Sequence, residues 1–274
     1  MSVFEPHILL RDGIAIPRIG LGLFRTPSGA ETRRVVRDAI SVGYRHFDTA
    51  RIYGNEADVA EAIRESGIGR ASVFVTSKVW NEDQGYEETL RACEQSLARM
   101  RLEQLDLLLL HWPVPGRRRD AWRALERLRS EGRVRAIGVS NFMPHHLREL
   151  LAVCKEAPAV NQVELTPFLQ HRELRALCDA HEVRIEAYSP LTKGARLAHP
   201  TVVAIADETG CTAAQVLLCW GLQRGLVVLP KSTRPERLAE NLAAARFALG
   251  ASALARLDAL EEGLVTGWDP RNAP

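Results

Sequence analysis

LDLLLLHWP, residues 105–113, is the stretch on which the fold reading turns. It is nearly continuous in leucine and stops abruptly at a histidine, a tryptophan and a proline. An unbroken apolar run of this length, bounded by polar and proline signals, reads as a buried strand of a parallel sheet. Seven runs of the same kind lie on either side of it: IGLGL (19–23), YRHFDT (44–49), VFVTSK (73–78), VRAIGVS (134–140), VNQVEL (160–165), VRIEAYS (183–189) and LVVLPKS (226–232). Between them the apolar residues recur at helical spacing. Leu90, Cys93, Leu97 and Met100 form one stripe, Trp122, Leu125 and Leu128 another, and Leu174, Leu177 and Cys178 a third. Gly43 follows the first helix as a C-cap.

Eight strands alternating with helices leave two architectures, an open doubly wound sheet or a (β/α)8 barrel. No Pro/Gly/Ser-rich linker and no change of composition divides the chain, so a single (β/α)8 TIM barrel domain over residues 1–274 is expected. ILLRDGIAIP (8–17) adds a short N-terminal β-hairpin turning at Asp12-Gly13. An extra C-terminal helix is expected over about 251–262, followed by a tail that contains Trp268.

Composition narrows the partners. The 274 residues are 46% hydrophobic with a formal net charge of +2. Mixed charge of this kind argues against a nucleic-acid or membrane surface. No apolar run approaches the roughly 18 residues of a membrane span, and MSVFEPHILLRDG lacks signal-peptide architecture. A cytoplasmic protein is the expectation. The run Arg117-Arg118-Arg119 reads as a solvated helix start. The five cysteines include no C-x-x-C; Cys93, Cys154 and Cys178 read as reduced core thiols. Neighbouring His145 and His146 point different ways on a helix, and no metal site is expected.

In a (β/α)8 barrel the chemistry lies at the C-terminal ends of the strands. Here those ends carry Asp48 with Tyr53 in the loop beyond, Lys78, His111, Ser140-Asn141, Gln162 and Glu164, Tyr188-Ser189, and Lys231-Ser232. Each alone has a bland reading, as a turn residue, a snorkelling lysine or a core histidine. Folding alone does not explain why nearly every strand delivers a polar group to one rim. A tyrosine keeps its proton to about pH 10. An adjacent ammonium lowers that value, and a carboxylate keeps the ammonium charged. Such a group protonates a carbonyl oxygen while a hydride attacks the carbon, with histidine orienting the oxygen. Gly20-Leu-Gly22 lacks the third glycine of a dinucleotide fingerprint. Lys231, Ser232, Thr233 and Arg237 instead surround a helix N-terminus after the last strand, a position suited to phosphate.

Taken in order, GYRHFDTARIYGNE, VTSKVWN, LDLLLLHWP, AIGVSNF, NQVEL, AYSPL and VLPKSTRPERLAEN resemble the aldo-keto reductase family from about Ile14 to Pro270. The bacterial members are most similar, among them 2,5-diketo-D-gluconate reductases and glyoxal or methylglyoxal reductases. The resemblance implies an NADPH-dependent oxidoreductase acting on small-molecule aldehydes or ketones, and a monomer, the family's usual form. It implies Tyr53 as general acid, Lys78 and Asp48 as its supporting pair, and His111 as the carbonyl-orienting residue. Ser140, Asn141 and Gln162 would hold the nicotinamide carboxamide and Tyr188 would stack on its ring. Gly22 and Leu23 would approach the cofactor, and Ser189 and Leu191 would wrap its pyrophosphate. Lys231, Ser232, Thr233 and Arg237 would clamp the 2′-phosphate that distinguishes NADPH from NADH, and Glu240 and Asn241 would lie near the adenine. Phe24, Trp80, Trp112 and Trp268 would line the substrate cleft. Arg51, Lys193 and Arg196 are departures without an assigned task. Two rival readings stay open: a cofactor-binding regulatory barrel with slow turnover, and a Schiff-base enzyme using Lys78.

Overall fold

The computed structural model of the chain describes residues 2–273. β1 (His7–Leu9) and β2 (Ala15–Pro17) pair antiparallel with Ile8 opposite Ile16. Gly13 makes the turn possible: its φ of +78° is the left-handed region, and its N–H donates to Leu10 O at 2.9 Å. Eight parallel strands follow: β3 (Leu21–Gly22), β4 (His46–Asp48), β5 (Phe74–Val79), β6 (Leu105–Leu110), β7 (Val134–Ser140), β8 (Val160–Glu164), β9 (Arg184–Tyr188) and β10 (Val227–Leu229). Each pairs with the next in chain order. β3 and β10 close the ring, because Gly20 N–H donates to Val228 O at 3.0 Å and Val228 N–H donates to Arg18 O at 2.9 Å. Gly20 is required at this seam: a Cβ there would lie 2.6 Å from both His46 Nδ1 and Leu229 Cδ2.

The helices are α1 (Ala30–Val42), α2 (Glu56–Glu65), α3 (Tyr86–Met100), α4 (Arg118–Ser130), α5 (Pro144–Leu151), α6 (Arg172–Ala180), α7 (Pro200–Thr209), α8 (Ala213–Gln223), α9 (Pro235–Ala243) and α10 (Ala251–Asp258). Two of them, α7 and α8, lie between β9 and β10. α8 opens with a capping box, Thr212 Oγ1 accepting from Gln215 N–H and Gln215 Oε1 accepting from Thr212 N–H. α10 stops at Asp258, short of the expected 262. The last barrel strand ends its pairing with β9 at Leu229, opposite Tyr188, while Pro230 O still accepts from Gly22 N–H at 3.2 Å; Lys231 and Ser232 lie in the loop before α9. Arg118 departs from the expected solvated basic run. It is 9% exposed, pairs with Glu149 and donates to Pro113 O at 3.0 Å. Among the described residues no single helix is long and apolar enough to cross a membrane.

Strand side chains alternate between the two faces of the sheet. One parity, including Phe47, Val75, Leu108, Ile137 and Ile185, packs outward against the helices with Leu97, Trp122 and Leu125. The other parity points into the barrel. At the floor it is apolar: Phe74, Leu107, Leu109, Ala136, Val160 and Val227 pack on Leu10 and Ile16 of the hairpin, which plugs that end. Higher on the same parity stand His46, Thr76, Gln162 and Glu186, then Asp48 and Lys78, all buried. The barrel interior therefore turns from apolar to polar toward the strand ends.

Candidate active site

Lys78 and Asp48 meet on neighbouring strands. Lys78 Nζ lies 2.6 Å from Asp48 Oδ1 and 2.7 Å from Oδ2, and the two residues are 1% and 4% exposed. The ammonium also donates to Thr49 O at 3.0 Å and to Tyr53 Oη at 3.5 Å. Tyr53 ends a single 3₁₀ turn, Arg51–Tyr53, which Gly54 terminates with a φ of +71°. Asn55 holds this loop down: its Nδ2 donates to Leu23 O and Thr26 O, both at 3.1 Å, and its Oδ1 accepts from Thr49 Oγ1 at 2.6 Å. The Tyr53 ring is edge-on to His111 with centroids 5.8 Å apart, and Trp80 meets the same imidazole at 5.1 Å. His111 Nδ1 is buried without a hydrogen-bond partner.

Electrostatics differ from the sequence expectation at one point. Lys78 does pull the Tyr53 phenol down, but burial outweighs it, and the phenol is raised above its ordinary value. Burial works against the Lys78 ammonium, yet Asp48, Tyr53 and Glu186 more than offset it and the group is raised. Burial, with Lys78 second, holds His111 well below the usual imidazole range, so the ring is neutral. The site thus holds a protonated phenol, a charged ammonium and a neutral imidazole together near neutral pH.

The residues expected at the cofactor occupy the same rim. Ser140 Oγ donates to Gln162 O at 2.9 Å; Asn141 Nδ2 donates to His111 O at 3.0 Å, and Tyr188 Oη donates to Asn141 Oδ1 at 2.8 Å. Asn141 and Ser189 have φ values of +63° and +49°, a strain that clusters at functional sites. Gln162 spends its amide hydrogens inside the barrel, on Asp48 Oδ2 at 2.8 Å and Glu186 Oε2 at 2.6 Å. Gly22 is engaged in the seam: its N–H donates to Pro230 O at 3.2 Å, and a Cβ there would make ordinary contact with Leu229 O at 3.5 Å. The Leu23 side chain packs in the outer core, and Leu191 packs against that core. Before α9, Lys231 and Arg237 are exposed, Ser232 Oγ accepts from Arg234 N–H at 3.1 Å, and Thr233 O accepts from Arg34 Nη2 at 3.2 Å. Glu240 Oε1 accepts from Thr212 Oγ1 at 2.6 Å, which ties α9 to α8, and Asn241 is buried. Two exposed cations around the N-terminus of a nine-residue helix and a free His111 nitrogen suit a phosphate-bearing nicotinamide dinucleotide.

The walls of the site are aromatic. Phe24 lies 5.0 Å from the Tyr53 ring, and Trp112 lies 5.9 Å from Trp268. Trp268 is 71% exposed and is carried by the C-terminal tail. That tail is pinned at Thr266, whose N–H and hydroxyl both donate to the Glu164 carboxylate and whose carbonyl accepts from Lys193 Nζ at 2.6 Å. Arg196 pairs with Glu262 at 2.7 Å. Lys193 and Arg196 are therefore engaged with the tail. Arg51 forms an ion pair with Asp83 at 2.8 Å, linking the loops after β4 and β5.

The profile of the Aldo/keto reductase family matches residues 18–262. The chain belongs to this family. Among its relatives, this aldo-keto reductase is 48% identical over 267 residues to the uncharacterized oxidoreductase YtbE of Bacillus subtilis strain 168, covering 96% of this chain and 95% of the other. It is 46% identical over 263 residues to a glyoxal reductase of the same organism, covering 96% and 95%. It superposes on a mutant of Gox0644 in complex with NADPH with a TM-score of 0.93, 41% identity and 99% of each chain covered.

Three buried residues of this aldo-keto reductase hold the site together, and of these only Glu164 was singled out by sequence, as a strand-end group with no assigned task. Asn55 secures the Tyr53 loop, Glu164 anchors the tail, and Glu186 shares Gln162 with Asp48. Glu186 had a legible signal: it interrupts an apolar run on the same parity as Tyr188, two residues on. Asn55 had none, and the anchoring task of Glu164 had none either, since their partners lie 32 and 102 residues away.

Proposed function

We propose that the chain reduces the carbonyl of small aldehydes, dicarbonyls or keto-sugar acids to an alcohol, with NADPH as cofactor and Tyr53 as proton donor. The observation that carries this reading is the Tyr53 hydroxyl 3.5 Å from Lys78 Nζ, itself clasped by Asp48. NADPH, when bound, supplies the hydride that the carbonyl carbon accepts. Neutral His111 orients the carbonyl oxygen through its ring N–H. Tyr53, kept protonated by burial, hands its proton to that oxygen as negative charge develops there. The Lys78 ammonium then stabilises the phenolate left behind, and Asp48 keeps Lys78 charged and in place. Phe24, Trp80 and Trp112 exclude water from the reacting carbonyl. Exposed Lys231 and Arg237, with the α9 N-terminus, would receive the 2′-phosphate and favour NADPH over NADH. The identity to a glyoxal reductase supports small dicarbonyls as the first substrates to assay.

The test is a panel of carbonyl substrates with NADPH and NADH, run on wild type and Tyr53→Phe. Tyr53→Phe is expected to bind NADPH as wild type does, measured by fluorescence titration, and to lose turnover by about 10²-fold or more, the usual scale of acid–base catalysis. Equal turnover by the variant would remove Tyr53 from the role.

A further inference from the structure

Glu186 is fully buried in the barrel, one layer below the catalytic rim, and the reaction proposed above gives it no task. Its Oε2 accepts from Gln162 Nε2 at 2.6 Å, and the same amide donates to Asp48 Oδ2 at 2.8 Å. Its Oε1 has no hydrogen-bond partner but faces His46 Nε2 at 3.4 Å. The groups facing Glu186 are His46 and Asp48 from β4 and Lys78 from β5, with Gln162 from β8 as the polar neighbour. β10 places Val227 beside it, and along the ladder Gln162 pairs with Ser140 of β7, which carries no charge.

Hydrogen-bond chemistry decides where a proton belongs here. Pro17 O lies 3.4 Å from His46 Nδ1 and can only accept. Nδ1 is therefore the protonated nitrogen of a neutral ring, and burial pushes the His46 pKa down to about 3. Nε2 is left as an acceptor, 3.2 Å from the Thr76 hydroxyl and 3.4 Å from Glu186 Oε1. An ionised Glu186 would set its own unpartnered acceptor oxygen against that nitrogen. It would also place a second buried carboxylate beside Asp48, with Lys78 already clasped by Asp48. A carboxylic acid removes both conflicts, since its O–H on Oε1 donates to His46 Nε2 while Oε2 still accepts from Gln162. Burial first, and Asp48 second, push Glu186 up to about 8, in agreement with the geometry.

We propose that Glu186 is a positioning residue that keeps one proton inside the barrel at neutral pH, leaving Lys78 to Asp48 and Tyr53, and that its ionisation at alkaline pH weakens Tyr53 as a proton donor. Ionised Glu186 would add negative potential at Lys78, offsetting the positive charge that stabilises the Tyr53 phenolate. The catalytic half of this inference rests on the proposed reductase reading; the proton's location does not.

Glu186→Gln tests both halves. The unfolded chain releases a glutamate proton near pH 4.3, whereas the folded chain keeps this one to about 8. Wild type should therefore lose native stability as pH rises through that window, and the variant should not. The expected result in urea denaturation is a stability difference, variant minus wild type, that grows from about pH 4 to about 8 and is flat above. His46 titrates in both proteins and drops out of the difference. A difference that does not change with pH overturns the stored proton. In the pH profile of carbonyl reduction, wild type should show an alkaline inflection near pH 8 that the variant lacks; the same inflection in both overturns the link to Tyr53. Should the variant fail to fold, infrared spectra of wild type decide the matter. A protonated-carboxyl C=O band should disappear as pH rises through about 8, and its absence at pH 7 overturns the proposal. The denaturation arm needs no substrate, so a wild type that reduces no carbonyl would refute the reductase reading separately.

Discussion

At the scale of single residues, the site depends on one buried cation serving one carboxylate and one phenol. Lys78 is 1% exposed and its ammonium touches both Asp48 oxygens. Replacing it by methionine preserves the side chain's length but leaves Asp48 buried without its counter-charge. Removing one partner of a buried pair costs about 3–5 kcal/mol. Lys78→Met is therefore expected to lose about that much stability in chemical denaturation and to abolish turnover as well. Stability equal to wild type would mean that the Asp48 carboxylate is satisfied by Gln162 and water. The chemical types at this site were legible in the sequence because each ends an apolar run. The direction of the Tyr53 shift was not, because it depends on how deeply the loop buries the ring, and burial outweighs the lysine.

At the scale of elements, the hairpin and the loop before α9 show how a barrel is completed at its two ends. β1 and β2 belong to no part of the eight-stranded ring, yet Ile16 is fully buried and packs with Phe74, Leu107 and Val160 as part of the floor. Ile16→Ala should open a cavity there and cost about 2–5 kcal/mol, measured by urea denaturation. A loss below about 1 kcal/mol would mean that the hairpin folds back to fill the space. The Asp12-Gly13 turn was readable because only glycine takes that backbone angle cheaply. The extent of the last barrel strand was misjudged: its pairing with β9 stops where β9 itself ends, at Leu229 opposite Tyr188, a limit set by the neighbouring strand.

At the scale of the whole molecule, the C-terminal tail joins parts of the chain distant in sequence. Glu164 at the end of β8 accepts both hydrogen bonds of Thr266, Lys193 holds the Thr266 carbonyl, and Trp268 beyond them reaches Trp112. Glu164→Gln removes the charge from this anchor, a change of about 1.5 kcal/mol if one charge-assisted bond is lost, or roughly tenfold in affinity. KM for a bulky aromatic aldehyde is expected to rise by about that factor, with KM for glyoxal nearly unchanged. An equal rise for both substrates would show that the tail supports the cofactor region and not the outer wall of the cleft.

Local pattern alone determined the β-α rhythm, the hairpin and the polar residue at each strand end, because hydrophobic periodicity and turn chemistry act over a few residues. The tertiary structure decided what those residues do to one another. Only ring closure puts Gly20 against His46, stacks Glu186 beneath Asp48 through Gln162, and brings Thr266 to Glu164. Arg51, which had no reading in the sequence, became an ion-pair partner of Asp83. Burial and Coulomb interactions act through space, across contacts such as that of Gln162 with Asp48, 114 residues apart in the chain, so the protonation of this site is set by the closed barrel and not by any one of its strands.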